Sequence, residues 1–483
     1  MIWRVFRVDA TWLALGLGAL ALALVAICRG AEYDEGYTLL LTAGHRLPAW
    51  PAGVFHAAEG QALFRGAPSA AQIAAELRAQ DVHPPVYFWL EAVWRAVAGP
   101  SLLAARALSV ALSVAALAGV AAIARTLAIP PWRALLLCAG CYAFTYTGAI
   151  ARDFALAQAL GVWAVWLAVR GRGTWTAALA GVAFGLAILA NYLAAFIAVG
   201  CGVWLLAARN LRVVSFATGL AMLLPVQVWF FLAQRGSRAG QFAPLEWHSA
   251  LLRLLRFQGA ALFGGLPLYA GAWGVAVTVG LGVLAVGAAA CAFRRLRLPA
   301  RALLALLAVC PAAGLLAMAV LSGSTPIELR YLAFGTPFAA LLLADALPRP
   351  LLALMLAVQA ASIAELALRP ETMQPQAEAA AEAAEADALV LLPRGNDGVG
   401  IPAAFLQSAA PAMRVRIVGP DMAPWVIRAE AANESRVAAA LLPLDADSRT
   451  TVPALLAAFE DRCWQPVSRS NVLAVWQHVC AVD

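Results

Sequence analysis

Lysine is absent from this 483-residue chain, and charge of any kind is scarce: 13% of residues are charged against 63% hydrophobic. That balance excludes a water-soluble globular protein, because one core cannot hide so much apolar surface. All 34 basic residues are Arg, and the chain is rich in Ala and Leu, a bias that fits a GC-rich bacterial genome better than any binding function. The formal net charge of +7 therefore says little about partners. Insertion topology alone calls for basic residues beside membrane spans, so the charge gives no support to nucleic-acid binding. A small-x-small cleavage site is also missing after the first apolar run. Arg4 and Arg7 precede that run at 12–28, the pattern of a retained first span with a cytoplasmic N-terminus rather than a removed signal peptide. Cys138 and Cys141 have no His or Cys partner nearby in sequence and read as helix packing, not as a metal clip.

What the sequence has in abundance is long apolar runs. A helix crosses the hydrocarbon with about 20 apolar residues. Further candidate runs lie at 102–124, 134–150, 154–169, 175–190, 193–208, 213–232, 268–293, 303–321, 331–347 and 351–366. With the first, they predict a mainly α, polytopic helical bundle of about eleven spans. Arginine orients it. The alternate loops expected in the cytoplasm carry Arg125 and Arg133, Arg170 and Arg172, Arg209 and Arg212, the run RRLRLPAR at 294–301, and Arg349. The opposite loops at 29–100 and 233–267 are longer, and their amphipathic pieces SAAQIAAELRAQ and EWHSALLRLLRFQGA predict juxtamembrane helices at the outer interface.

Beyond Arg369 the composition changes. PETMQPQAEAAAEAAEADA predicts an acidic helical connector, and ALVLLP, MRVRIVG and VAAALLPL read as buried strands between helical segments such as VPALLAAFEDRC. The expected organisation is a transmembrane domain over 1–368, with its outer loop at 29–100, and a small periplasmic α/β domain over 369–483. Cys463 and Cys480 are the only cysteines of the tail. A disulfide and two separate buried thiols are equally good readings of them.

The stretch GAEYDEGYTLLL at 30–41 sets Glu32, Asp34 and Glu35 where the first span has just left the bilayer. Carboxylates beside a span are costly unless they face water, pair with a cation or do chemistry. For Asp34 and Glu35 alone, a solvated helix end explains as much as a catalytic role. The same loop, however, contains DVHPPVYFWLEAVWRAVAG at 81–99, where Asp81 and His83 stand before two helix-breaking prolines and an aromatic run suited to the interface. Arg152 and Asp153 in GAIARDFALAQAL, Arg106 in LLAARALSV, and Arg330 with Tyr331 in IELRYLAFGTP open or adjoin other outer span ends. Each arginine by itself reads as a snorkelling anchor. Brought together they suit a phosphate, which the guanidinium fork matches. The constellation predicts an enzyme that holds a lipid phosphate at the membrane face and uses a carboxylate as base.

In order and in sidedness, YDEGY, DVHPPVYFWL, ARDFALAQAL and RYLAFGTP resemble the GT-C membrane glycosyltransferases. The likeness is greatest to the branch that holds protein O-mannosyltransferases and the lipopolysaccharide-modifying transferases of aminoarabinose or galacturonic acid type, and it runs through residues 1–350. The resemblance implies inverting transfer of a sugar from a polyprenyl-phosphate donor to a hydroxyl or phosphate acceptor on an envelope lipid, glycan or protein, at the periplasmic face of the bacterial inner membrane. It makes Asp34 the general base and has Glu35 orient the acceptor or hold the loop. Asp81 and His83 fall on the second acidic loop, where they shape the site or contact the departing phosphate. Arg330 with Tyr331, and behind them Arg152 and Arg106, bind the donor phosphate. No cofactor is required, and a divalent cation is not indicated, since no ligand cluster beyond Asp34, Glu35, Asp81 and His83 is visible. Two departures narrow the reading. Val82 and His83 stand where some relatives carry Lys or Glu, which counts against aminoarabinose, and the tail lacks β-trefoil character, which leaves a protein acceptor unsupported.

The alternative is a polytopic lipid or solute transporter or flippase, which would place ionisable groups near mid-bilayer and show internal repeats or broken helices. No half of this sequence repeats the other, and its notable charges cluster at outer span ends. A non-catalytic scaffold would leave the acidic loop without a role.

Overall fold

Apolar run length dominates the helical part of the chain. The structure, a computed structural model, describes residues 9–45, 50–171, 173–208, 211–238, 242–292, 298–368 and 373–480. Of the loop arginines, Arg4, Arg7, Arg172, Arg209, Arg294, Arg295 and Arg297 lie outside the described residues, as does Arg369. The chain divides into two units. The first comprises Met1–Cys28, Leu77–Tyr87 and Arg106–Leu368, and the second Arg29–Glu76, Phe88–Ala105 and Arg369–Asp483.

Among the described residues six helices are long and apolar enough to cross a membrane: Ala10–Cys28, Leu102–Thr126, Gly271–Cys291, Pro299–Ser322, Leu329–Ala346 and Arg349–Leu368. They mark a multi-pass membrane protein. Phe154–Arg170, Thr174–Ala190 and Ala194–Ala207 are apolar but shorter. Two of the expected runs are each a pair of helices. The run at 134–150 breaks at Cys141, between Pro131–Gly140 and Tyr142–Ala149. The run at 213–232 is Arg212–Ala221 followed by Leu224–Ala233, bent by 46°. Pro225 accounts for this bend, since it has no N–H to give to the carbonyl of Ala221 and its ring crowds that carbonyl. The amphipathic pieces of the outer loops are helical, within Ala70–Gln80 and Trp247–Phe263.

Small residues set the closest helix contact of the first unit. A methyl group on Gly181 would stand 2.1 Å from the Phe216 carbonyl oxygen, and one on Gly219 would stand 2.1 Å from that of Ala178. The helices Thr174–Ala190 and Arg212–Ala221 thus touch backbone to backbone. Phe184 and Phe216 fill the flank edge-to-face, with ring centroids 5.8 Å apart.

The second unit is built on a six-stranded sheet in the order β1-β3-β2-β4-β6-β5, with β1 at Val54–His56, β2 at Leu389–Pro393, β3 at Arg414–Val418, β4 at Arg436–Ala440, β5 at Trp464–Arg469 and β6 at Leu473–His478. The three expected strands are β2, β3 and β4. They run parallel, with β2 central and buried at every position, as a parallel strand covered on both faces must be. Helices Gly400–Ser408 and Pro424–Glu430 make the crossovers, and Met373–Ala383 and Ala446–Ala458 fall on the expected connector and VPALLAA segments. The sequence reading did not include the antiparallel strands. β5 carries Pro466, bulges between Pro466 and Ser468, and exposes five of its six residues, so it lacks the alternation that announces a strand and is tolerated only as an edge. β1 is three residues long and comes from the 29–100 loop, where it pairs antiparallel with β3. Cys463 and Cys480, which flank the β5–β6 hairpin, form a disulfide.

Gly181→Ala is expected to push these two helices apart and to cost about 1–3 kcal/mol, as overpacking does. Gly173→Ala, where the added methyl group meets nothing within 4 Å, serves as the near-neutral control. Thermal unfolding of both variants in detergent checks the difference.

Candidate active site

The loop after Ala70–Gln80 is short and folds onto its own acid. Asp81 Oδ1 accepts from the backbone N–H groups of Val82 at 2.6 Å and His83 at 3.2 Å, and from His83 Nδ1 at 2.6 Å. Because an ionised carboxylate only accepts, Nδ1 carries the proton and Nε2 is left to face other partners. Pro84 and Pro85 follow and end the loop where Val86–Ala98 begins.

Around Nε2 the first unit assembles a second set of charges. Arg152 Nη2 stands 3.1 Å from His83 Nε2 and 3.3 Å from Nδ1. Asp153 Oδ2 stands 4.0 Å from Nε2. Asp153 is wholly buried, and neither of its oxygens makes a hydrogen bond of ordinary geometry. Burial raises its carboxyl above the usual range, against the pull of His83, Arg152 and the nearby Asn191 amide. Asp81 behaves oppositely. Burial acts to raise it, but the His83 charge and hydrogen bond, Arg152 and the Val82 N–H together outweigh burial and hold it below its ordinary value. Two carboxylates in one cluster are thus driven apart in acidity.

Gln234 fixes the loop from behind. Fully buried, it donates from Nε2 to the carbonyls of Leu77 at 3.0 Å and His83 at 2.7 Å and accepts at Oε1 from Tyr192 at 3.0 Å.

His83, Asn191 and Tyr331 also line a cavity of about 640 Å³ whose remaining wall is mostly apolar, formed by such side chains as Ile188, Phe196, Phe231 and Leu321. One polar end and a long apolar wall suit an amphiphile with a charged head. Tyr331 sits in the 3₁₀ turn Leu329–Gly335 and stacks on Phe154, ring centroids 6.3 Å apart, so the segment bearing Arg330 adjoins the helix start bearing Arg152 and Asp153. The Arg330 guanidinium lies 5.6 Å from the Tyr331 ring centre. Arg106, also buried, donates to the carbonyl of Ala26 at 2.8 Å, in the last turn of Ala10–Cys28, where a cation meets the negative end of a helix.

Asp34 and Glu35 belong to the second unit, in the first turn of Tyr33–Thr42. Asp34 is half-buried. Glu35 is fully buried and accepts the Glu32 N–H at 2.6 Å, closing a capping box. Glu32 in turn pairs with Arg29 at 2.6 Å.

The structure therefore brings Asp81, His83, Arg152 and Tyr331 to one site and adds Asp153, Asn191 and Gln234, which the sequence reading did not name as site residues. Asp153 is conspicuous beside Arg152 in ARDFALAQAL, whereas the sequence signal of Asn191 and Gln234 is only a polar residue ending an otherwise apolar run, as in GLAILAN and WFFLAQ. Among the described residues no group of three or more His, Cys, Asp and Glu side chains is arranged to hold a metal ion.

Asp81→Asn removes the charge that holds His83 and Arg152. At neutral pH it is expected to cost about 1–3 kcal/mol, the range for hydrogen bonds to a charged group. Because the folded-state acidity of Asp81 is depressed, its contribution is complete above its unfolded pKa and is lost as the pH falls through the folded one. Melting curves of wild type and variant should converge on acidification.

No family model matches the chain, and no curated protein matches its sequence. Among solved structures it is similar to ArnT from Cupriavidus metallidurans bound to undecaprenyl phosphate, at 14% identity over 98% of this chain and 99% of that one, with a TM-score of 0.46. It is also similar to the oligosaccharyltransferase of Archaeoglobus fulgidus in its apo form, at 12% identity over 96% of this chain and 73% of that one, with a TM-score of 0.45.

Proposed function

We propose that the chain is an inverting glycosyltransferase of GT-C type that takes a sugar from a polyprenyl-phosphate donor and passes it to a hydroxyl or phosphate acceptor of the cell envelope, at the periplasmic face of the bacterial inner membrane. The observation that carries this reading is the charged cluster of His83, Arg152, Asp81 and Asp153 beside a mostly apolar cavity of about 640 Å³ in a membrane bundle. An isoprenoid chain needs an apolar wall, and its phosphate needs fixed cations where charge builds as the sugar leaves. In this proposal Arg152 and His83 meet that phosphate, Arg330 adds a cation from the adjoining turn, and Asp81 keeps the imidazole oriented.

The transfer breaks the bond between the anomeric carbon and the phosphate oxygen, and the electron pair stays on the phosphate. The acceptor oxygen attacks the opposite face of that carbon, which inverts its configuration. A hydroxyl acceptor must lose its proton in the step, and Asp34 is the base assigned to take it. A phosphate acceptor, already anionic, would not need that help. The scheme calls for no cofactor. The alternating Arg loops support about eleven crossings with the N-terminus inside and the tail outside. The broken helices at Arg212–Ala233 and around Cys141 are features a transporter would share, and an assay of sugar transfer separates the two readings.

Asp34→Asn is expected to lower transfer by about 10²–10⁴-fold, the range for a general base, while the protein still folds and inserts. Wild-type turnover in that variant would remove Asp34 from the role. Arg330→Ala should raise the donor Kd about tenfold, or 1.4 kcal/mol, and an unchanged affinity would count against its phosphate contact. Mass spectrometry of envelope glycolipids from a deletion strain identifies the sugar and the acceptor.

A further inference from the structure

Within the second unit, the chain leaves β2 toward β3 on one side and reaches β4 on the other. In open α/β sheets, the crevice at the carboxyl ends of strands that diverge in this way is where a ligand ordinarily sits. Here the turn at that point, RGNDGV at 394–399, is engaged by the chain's own helix Tyr33–Thr42. The Tyr37 hydroxyl donates to Asp397 Oδ2. The other oxygen of Asp397 accepts from the N–H groups of Val399 at 2.9 Å and Gly400 at 3.4 Å, at the start of Gly400–Ser408. Trp50 Nε1 donates to the Gly398 carbonyl.

The two helices meet without spare room. A methyl group on Gly400 would stand 2.4 Å from the Tyr33 ring, and one on Gly36 would stand 2.7 Å from Ala403 Cβ. Tyr33, Gly36 and Tyr37 follow the i, i+3, i+4 spacing of a single helix face. Asp34 lies about 100° round the helix from Tyr33, off that face. The far end is clamped as well. Arg95, buried, donates to the Leu39 carbonyl at 2.8 Å, the Phe64 carbonyl at 2.7 Å, the Pro100 carbonyl at 3.0 Å and the Thr42 hydroxyl. Capping at one end and Arg95 at the other hold the helix along its axis, and the Tyr33–Gly36–Tyr37 face, with the buried Leu39, Leu40 and Leu41, resists its rotation.

We propose that Tyr37 and Asp397, with Gly36 and Gly400, are positioning residues for Asp34: the crevice of the α/β sheet serves as a clamp that sets the rotation of the helix carrying the base. The inference rests on the assignment of Asp34 as base. Rotation matters because a side-chain tip lies roughly 5–6 Å from a helix axis, so a turn of roughly 10–20° shifts it by about 1–2 Å. A base must stand within hydrogen-bond reach of its proton, and a misplacement of about 1 Å costs about 10²-fold.

The test uses the full-length enzyme in detergent, with the host membrane's lipid extract supplying sugar-linked polyprenyl-phosphate donor and envelope acceptor, and released polyprenyl phosphate as readout. Tyr37→Phe is expected to speed hydrogen exchange over residues 33–42 and to lower kcat roughly 10- to 100-fold with the donor KM unchanged. It should also move the acid limb of the pH profile, which a mere loss of folded enzyme would leave in place. Asp397→Ala, which also removes the bonds to Val399 and Gly400, should do at least as much, and the double variant should lose no more than Asp397→Ala alone, as members of one contact do. Unchanged exchange, or unchanged kcat alongside an inactive Asp34→Asn, overturns the clamp and leaves the base reading intact. An Asp34→Asn variant as active as wild type overturns the base reading and the positioning role with it.

Discussion

A buried ionisable group must be neutralised by its neighbours, because water cannot reach it to do so. That constraint organises the candidate site. Asp81 spends its carboxylate on His83 and two loop N–H groups, and Arg152 lies against the same imidazole. Asp153 is wholly buried with no hydrogen bond of ordinary geometry, and burial raises its carboxyl against the pull of His83, Arg152 and Asn191. The cluster thus places two basic side chains, Arg152 and His83, beside two carboxylates in one largely buried group.

The same constraint explains the helices. Where backbone bends within apolar surroundings, as at a proline, the freed groups need other partners, and buried polar side chains supply them. Pro225 marks the bend after Ala221. Gln359 donates to the carbonyls of Leu137, at 3.3 Å, and Leu262, at 2.9 Å, beside the break at Cys141. Gln234 serves the loop carbonyls of Leu77 and His83. Cys138 and Cys141 are buried free thiols, in keeping with their reading as packing residues.

In the second unit the chemistry of charge is secondary to that of fit. Glycine at positions 36 and 400 lets two helices approach until a tyrosine ring lies on backbone. The phenol of Tyr37 then closes the contact on a carboxylate whose other oxygen caps the next helix. A crevice of the kind that elsewhere receives ligands is filled from the same chain, which turns a binding geometry into a structural joint.

The amino-acid sequence by itself determined the membrane class, the apolar runs, the amphipathic loop helices and the three central strands. Each of these is written in local periodicity over one element, and hydrophobic transfer acts on every residue independently. It also singled out Asp81, His83, Arg152 and Tyr331, because charge and aromatics at a span end are conspicuous where everything else is apolar. Only the tertiary structure decided that His83 meets Arg152 across 69 residues and Tyr37 meets Asp397 across 360. It alone drew Asn191 and Gln234 into the loop's surroundings and made strands of Val54–His56 and Trp464–Arg469. Such pairings follow from which faces pack and which backbone groups then need partners, and no periodicity within one segment encodes them.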